Sequence, residues 1–324
     1  MSNTGSTAES GVARRQHTVS KGILRQFTDP LTGQLESFHL EFEYPSLKYP
    51  KEVGYVWNFV EHEPSATEQR WKTTEDRLPA LYSALNDRTL LEKPDMVRLA
   101  KEVIALHVVR SLTRREVQEI VALRAREDLL GELRQNPQGL ALAFLRRTKL
   151  YPAGSEALEE QAQWDANRAL TTLNAPEFWH SRLMANIDEL NALLSRTSIQ
   201  VFEAGSGSGE FMIADDPAPT MMAGYFGLGP LTGVSYDKTT TIALPVSPRF
   251  AIALIEQPEW HQATPEVVHF LNCVQLSNAK ERVFYNPHSN LRSLAERAPA
   301  ARRARPPGLG PSLISLDPTE SPST

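Results

Sequence analysis

Between Pro94 and Ser195 the apolar residues recur every three or four positions, whereas on either side of that block they tend to alternate every second residue. A helix buries a stripe at a period near 3.6 and a half-buried strand buries one face at a period of two. The two outer segments therefore supply strands and the middle supplies helices, so strands far apart in the chain must meet. The pattern predicts an α+β fold: a mixed, mostly antiparallel sheet from N- and C-terminal segments with a central block of helices.

In the first strand region, residues 14–60, GILRQF and QLESFHLEFEY flank Asp29-Pro30-Leu31-Thr32-Gly33, and Phe38, Leu40 and Phe42 alternate with polar residues. This predicts a hairpin turning at Asp29–Gly33. Residues 76–196 read as mainly helical. Pro94 suits a first helical turn, and Thr113-Arg114-Arg115-Glu116 has the form of a capping box opening a helix through about Leu133. Further helices are expected near Ser155–Leu173 and from Pro176 to about Ser195, where Ile187, Leu190, Leu193 and Leu194 form an inward stripe. Residues 198–290 return to strands in SIQVFEA, EFMIA, KTTTIAL and RFAIALIE, then a last helix near Pro265–Ala279 and a closing strand in ERVFYN. Residues 14–298 are expected to form one domain between disordered tails, 1–13 and 299–324, whose small, basic and proline-rich residues cannot offset the entropy of ordering. In the second tail Arg302, Arg303 and Arg305 form a basic cluster.

The formal net charge of −5 argues against a general nucleic-acid coat, which needs a strongly basic face, but leaves room for a local basic groove. The single cysteine, Cys273, allows neither an internal disulfide nor a thiolate zinc site within one chain. With no apolar segment of signal-peptide or membrane-spanning length, a soluble, cytoplasmic protein without membrane contact is expected.

Residues 201–219 read VFEAGSGSGEFMIADDPAP, and Glu203-x-Gly205-x-Gly207-x-Gly209 matches the cofactor loop of a methyltransferase. That loop needs a helix starting at its last glycine, and Pro217 and Pro219 come too early for one. No regular alternation of strand and helix surrounds it, and serine alternating with glycine suits a flexible connection. The stretch reads as a turn between strands.

Four stretches, in order, resemble one family. RRQHTVSKGILRQF is similar to a His-x-Val-Pro-x-x-Tyr-Leu-Arg-x-Phe opening through His17, Val19, Leu24, Arg25 and Phe27; FMIADDPAP is similar to Ile-x-Ser-Asp-Asn-Pro through Asp215 and Pro217. IALPVSPRFAIAL resembles a Pro-Leu-Ser-Pro segment through Pro245, Ser247 and Pro248, and HFLNCVQLSNAKERVFY resembles a closing helix with Asn272, Ala279 and Arg282. Over about residues 15–290 the chain resembles the family named domain of unknown function 4238 (DUF4238). The resemblance implies a bacterial protein and no assigned activity. The chain departs from the pattern at Ser20, where proline is usual, at Gly22-Ile23, which replace an aromatic position, and at Asp216, where asparagine is usual.

Within these stretches the chemistry-bearing residues are few. His17, near Arg14, Arg15 and Lys21, is either a general acid, base or metal ligand, or a histidine that pins the chain entry through backbone hydrogen bonds. Asp215 and Asp216 point to opposite faces of a strand; the resemblance favours Asp215 for a site, while an Asp before proline also organises turns. His107 and Arg110 share a helix face, and Arg110, which resembles an arginine of the family, needs a carboxylate or phosphate partner; Asp215 is one candidate. Asn272 interrupts an apolar helix face and reaches either backbone or ligand. His261 and His269 have no recognised metal spacing, and Cys273 reads as a small buried hydrophobe. The leading expectation is an enzyme or sensor for a phosphate-bearing ligand, a nucleotide or nucleic acid. Its site comprises His17 as acid, base or metal ligand, Arg110 against phosphate and Asp215 orienting His17 or holding a metal. The alternative is a non-catalytic protein-interaction module, and a third is an S-adenosylmethionine-dependent methyltransferase. No cofactor, metal or reaction is specified by the sequence.

Overall fold

The computed structural model describes residues 15–222 and 231–304, so the tail expected over residues 1–13 lies outside the described residues, as does 305–324. Strand β1 (Arg15–His17) pairs antiparallel with β4 (Tyr55–Trp57) as a two-stranded ribbon. Between them run helix α1 (Lys21–Leu24), a 3-10 turn at Arg25–Phe27, and strands β2 (Leu35–His39) and β3 (Tyr44–Lys48). GILRQF is thus helical, not the strand its composition suggested. The Ser20 carbonyl accepts the N–H groups of Ile23 and Leu24, and the turn buries Ile23, Leu24 and Phe27 together. The turn at Asp29 is present, with Asp29 Oδ1 accepting the Leu31 N–H, but the hairpin is β2–β3. Because β2 has a partner on each side, β3 and β12 (Arg282–Tyr285), all five of its residues are buried.

Seven helices follow: α2 (Pro64–Glu75), α3 (Leu78–Asn86), α4 (Pro94–Val109), α5 (Leu112–Arg134), α6 (Pro137–Thr148), α7 (Ser155–Leu173) and α8 (Pro176–Ser195). Five carry proline in the first turn, where its missing N–H costs nothing. Helix α4 is central. It packs against α2, α3, α8 and the large sheet, so Val103–Val109 are buried all round, His107 included. Helix α5 begins one residue before Thr113: Ser111 is the cap, its hydroxyl accepting the Arg114 N–H, while Thr113 is engaged by Asp216.

The remaining strands are β5 (Ser198–Ala204), β6 (Ile213–Ala214), β7 (Thr220–Met222), β8 (Leu231–Thr232), β9 (Thr241–Pro245), β10 (Phe250–Ile255) and β11 (Glu259–Ala263), followed by α9 (Pro265–Asn278). A six-stranded sheet has the order β11-β5-β10-β9-β7-β8, with only β11–β5 parallel; a four-stranded sheet, β3-β2-β12-β6, joins strands from the two ends of the chain. The fold is α+β with mostly antiparallel sheets. The glycine loop, residues 205–209, carries the chain from β5 in one sheet toward β6 in the other. Gly207 and Gly209 adopt φ of +92° and +89°, which residues with a Cβ rarely reach. After β12 the chain forms α10 (Arg292–Arg303), with Ala298 and Pro299 buried, so the expected tail boundary at 299 falls inside a helix. No helix among the described residues is long and apolar enough to cross a membrane.

Strand β6 has only two residues, and side chains of α9 complete its hydrogen bonding. Asn272 accepts the Met212 N–H and donates to the Glu210 carbonyl, Gln275 accepts the Ala214 N–H and donates to the Pro217 carbonyl, and Asn278 donates to the Asp216 carbonyl. Spaced three apart, these amides lie along one helix face. Gln275→Leu should cost about 1–3 kcal/mol for each buried backbone group left unpaired. The exposed control Gln69→Leu should stay within about 0.5 kcal/mol. Urea denaturation of both variants checks this, and equal midpoints would contradict it.

Candidate functional site

Arg110 lies at the C-terminal end of α4 and is 2% exposed. Its Nη1 donates to Glu75 Oε1 at 2.8 Å and its Nη2 to Ser20 Oγ at 2.7 Å, while the Ser20 hydroxyl donates to the same Glu75 oxygen at 2.7 Å. The Trp71 ring centroid stands 5.2 Å from the guanidinium. Burying a lone guanidinium is prohibitive, and this one is tolerated because a carboxylate and a hydroxyl replace its water. The carboxylate is Glu75 of α2, not Asp215. The Arg110 and Glu75 charges act on each other: burial pushes the Glu75 carboxyl up, but Arg110 and the two hydrogen bonds outweigh it and hold it below the usual range.

His107, one turn earlier on the same face, fixes the chain entry. Its Nε2 accepts the Ser20 N–H at 3.2 Å, so the proton is on Nδ1, which points at the Val103 carbonyl 2.8 Å away. Burial, then the charge of Arg110, pushes this imidazole down to about 3, and it is neutral at pH 7. Ser20 is therefore the node of the network. Its N–H and hydroxyl are the groups a proline at that position could not supply.

His17 sits on β1 directly opposite Tyr55, with ring centroids 5.7 Å apart. Burial first, then the positive charges of Lys21 and Arg110, push it down to about 4, with Glu75 and a hydrogen bond to the Pro50 carbonyl opposing. Its Nε2 is buried without a partner, as are Arg110 Nε and Trp71 Nε1. His17 and Arg110 are thus brought into one electrostatic neighbourhood. Arg110 is its inner, neutralised member and His17, on the ribbon, its outer one.

Asp215 is placed otherwise. Its Oδ1 accepts the Lys280 N–H, and Oδ2 accepts those of Glu281 and Arg282, fastening β6 to the start of β12. Burial pushes it up to about 6 against those three bonds. Both oxygens are spent on backbone, so Asp215 neither pairs with Arg110 nor orients His17. Asp216 points the other way: its Oδ2 accepts from the Ser111 and Thr113 hydroxyls and the Thr113 N–H, holding the first turn of α5. Asn272 belongs to the amide ladder of α9, and Cys273 is buried, its sulfur 3.5 Å from His269 Nε2.

The glycine loop borders a cleft of about 770 Å³ together with Arg88, Arg249 and Gln262. Glu203, 2% exposed, accepts from Arg88, Arg249, Trp260 Nε1 and Gln262. Burial pushes its carboxyl up, and these four donors overcome that and hold it at about 2. A carboxylate so engaged has no capacity left for the ribose of a cofactor, and residues after Gly209 lead into β6 rather than a helix. The methyltransferase geometry is not met here.

The sequence reading missed Glu75, because α2 buries only Thr67 and Trp71 and so carries almost no apolar stripe. It also missed Tyr55 and Trp57, whose strand-like alternation in YVW was the available signal.

The model of the family described as Protein of unknown function (DUF4238) matches residues 15–289, and the chain belongs to that family. No curated protein and no solved structure matches it.

A histidine neutral in the fold, with an ordinary value of 6.5 when unfolded, contributes stability that is full above pH 6.5 and lost as pH falls through its folded value. For His107 that window runs from 6.5 to about 3. Asp215 has the opposite sign, gaining stability as pH falls from about 6 to 3.8. The comparison with His107→Gln therefore isolates the histidine. The unfolding free energy of the wild type should fall more steeply between pH 7 and 4 than that of the variant, and parallel profiles would contradict a buried neutral His107.

Proposed function

We propose that this DUF4238 member binds a phosphate-bearing ligand, a nucleotide or a nucleic-acid strand, on the outer face of the β1–β4 ribbon. The observation that carries this is the register: Arg15 is opposite Trp57 and His17 is opposite Tyr55. Directly opposed residues share a face, so an arginine, a histidine, a tyrosine and a tryptophan line one side. Gln16 turns to the other side, where its side chain closes on the backbone of Val60. The Arg15 guanidinium lies 4.9 and 5.0 Å from the Tyr55 and Trp57 ring centroids, and no residue of either strand is acidic. Tyr49 and Lys51 extend the same combination of ring and cation beside Pro50, whose carbonyl holds His17.

Aromatic faces with adjacent cations suit bases joined by phosphates, because every base has a π-face and every linkage a negative charge. Arg110 is not the phosphate contact, its charge being taken up by Glu75; Arg15 and exposed Lys21 supply that role. His17 stands at the inner end with a neutral ring whose Nε2 is buried and unpartnered, so a ligand hydroxyl could give it a proton only after the ribbon shifts to uncover that edge of the ring.

Fluorescence anisotropy with a labelled single-stranded oligonucleotide, and quenching of tryptophan fluorescence by mononucleotides, test the reading. Trp57→Ala and Tyr55→Ala should each weaken binding by about 1–3 kcal/mol, and Arg15→Ala should flatten its salt dependence. His17→Gln should retain binding and remove any turnover. Wild-type protein that binds neither probe, or binds with no loss in the ribbon variants, overturns the proposal in favour of the interaction-module reading.

A further inference from the structure

A second cluster lies on the loop after β4 and the first turn of α8. His62 and Glu63 come from the loop, and Glu177 and His180, three apart, share a face of the helix. One donor atom each from His62, Glu63 and His180 can be chosen so that all lie within 4.8 Å of one another, and the two imidazole centroids are 5.4 Å apart. His62 Nε2 is 4.0 Å from Glu63 Oε1, and its Nδ1 is 3.8 Å from Glu177 Oε1.

We infer that His62, Glu63 and His180 form a divalent transition-metal site, selective for Zn²⁺, with Glu177 as the outer carboxylate. Two imidazoles and one carboxylate are the donor set of an open zinc site, which leaves a fourth position for water or substrate. Nitrogen donors disfavour Mg²⁺ and Ca²⁺, which take oxygen. Glu177 stands 3.8 Å from Nδ1 of His62; a small rotation that closes this to a hydrogen bond would leave Nε2 toward the metal, the usual outer arrangement of a ligating histidine. Among the described residues, the charged neighbours of Glu63 and Glu177 are histidine; neither pairs with lysine or arginine. Two carboxylates and two imidazoles gathered without a permanent cation are a set that a bound cation completes.

The frame holding the donors is rigid. Trp179 Nε1 donates to the Phe59 carbonyl at 3.1 Å and the Phe59 and Trp179 rings meet edge to face at 6.0 Å, so the loop and α8 are locked together beside all four groups. Tetrahedral zinc at its usual bond lengths places donors roughly 3.4 Å apart. Side-chain rotation closes the difference, for His62 and Glu63 are 36% and 60% exposed at the side chain and free to turn.

Calorimetric titration of the metal-free full chain with Zn²⁺ is the test, and Co²⁺ absorption reports the geometry. A single Zn²⁺ should bind per chain. His62→Ala and His180→Ala should each weaken it at least tenfold and abolish the tetrahedral Co²⁺ bands, Glu177→Ala should weaken it about 10–100-fold, and His269→Ala should change nothing. Circular dichroism of the variants confirms that they remain folded. No Zn²⁺ binding, binding equally well displaced by Mg²⁺, or binding that survives His62→Ala and His180→Ala overturns the assignment.

Discussion

The placement of His17 depends on one ion pair, the buried Arg110 with the partly exposed Glu75. The guanidinium closes α4, the most enclosed helix, and the carboxylate closes α2. Ser20 is suspended between them by its hydroxyl and tied to His107 by its N–H, so the segment after β1 is bolted to the helical core at one residue. Removing Glu75 would leave the Arg110 charge without water, a loss that in fully buried pairs costs about 3–5 kcal/mol, whereas replacing both with apolar groups can be neutral. The pair therefore specifies where the ribbon sits more than it adds net stability.

A comparable economy governs the other end of the chain. Residues 210–217 run between the two sheets with too little strand to satisfy their own backbone, and polar side chains take over. Three amides of α9 read that backbone from one side, and Asp215 and Asp216 tie it to β12 and to the first turn of α5 on the others. The two adjacent aspartates lie in the bend just after β6 and point apart. Both oxygens of Asp215 accept backbone N–H groups, and one oxygen of Asp216 accepts from Ser111 and Thr113 while the other is buried without a partner.

The helices were legible where they declared themselves locally. Proline in the first turn located α4 and α8, the latter with its regular apolar stripe, and the β-branched runs located β5, β9 and β10. Elements without local signals were not. GILRQF has strand-like composition but is helical, since its backbone folds on the Ser20 carbonyl to bury three apolar residues. Helix α10 continues through Pro299, where a proline-rich tail was expected. The candidate site divides in the same way. His17, His107 and Arg110 stood out as residue types at telling places, but their partner Glu75 lies on a helix with almost no apolar pattern. The approach of His62 to His180 is made by tertiary packing of a loop on α8, whereas His261 and His269, visible in the sequence, join no group of three metal-capable side chains among the described residues.

If Arg110 and Glu75 hold the ribbon, taking both charges away should loosen the ribbon and little else. Amide hydrogen exchange on the double variant Glu75→Leu, Arg110→Met measures this residue by residue. Protection should fall at Ser20 and across β1 and β4, while β5 and β10, which pair within the six-stranded sheet and not with the ribbon, keep theirs. Unchanged protection at Ser20, or a uniform loss across both sheets, would contradict the account.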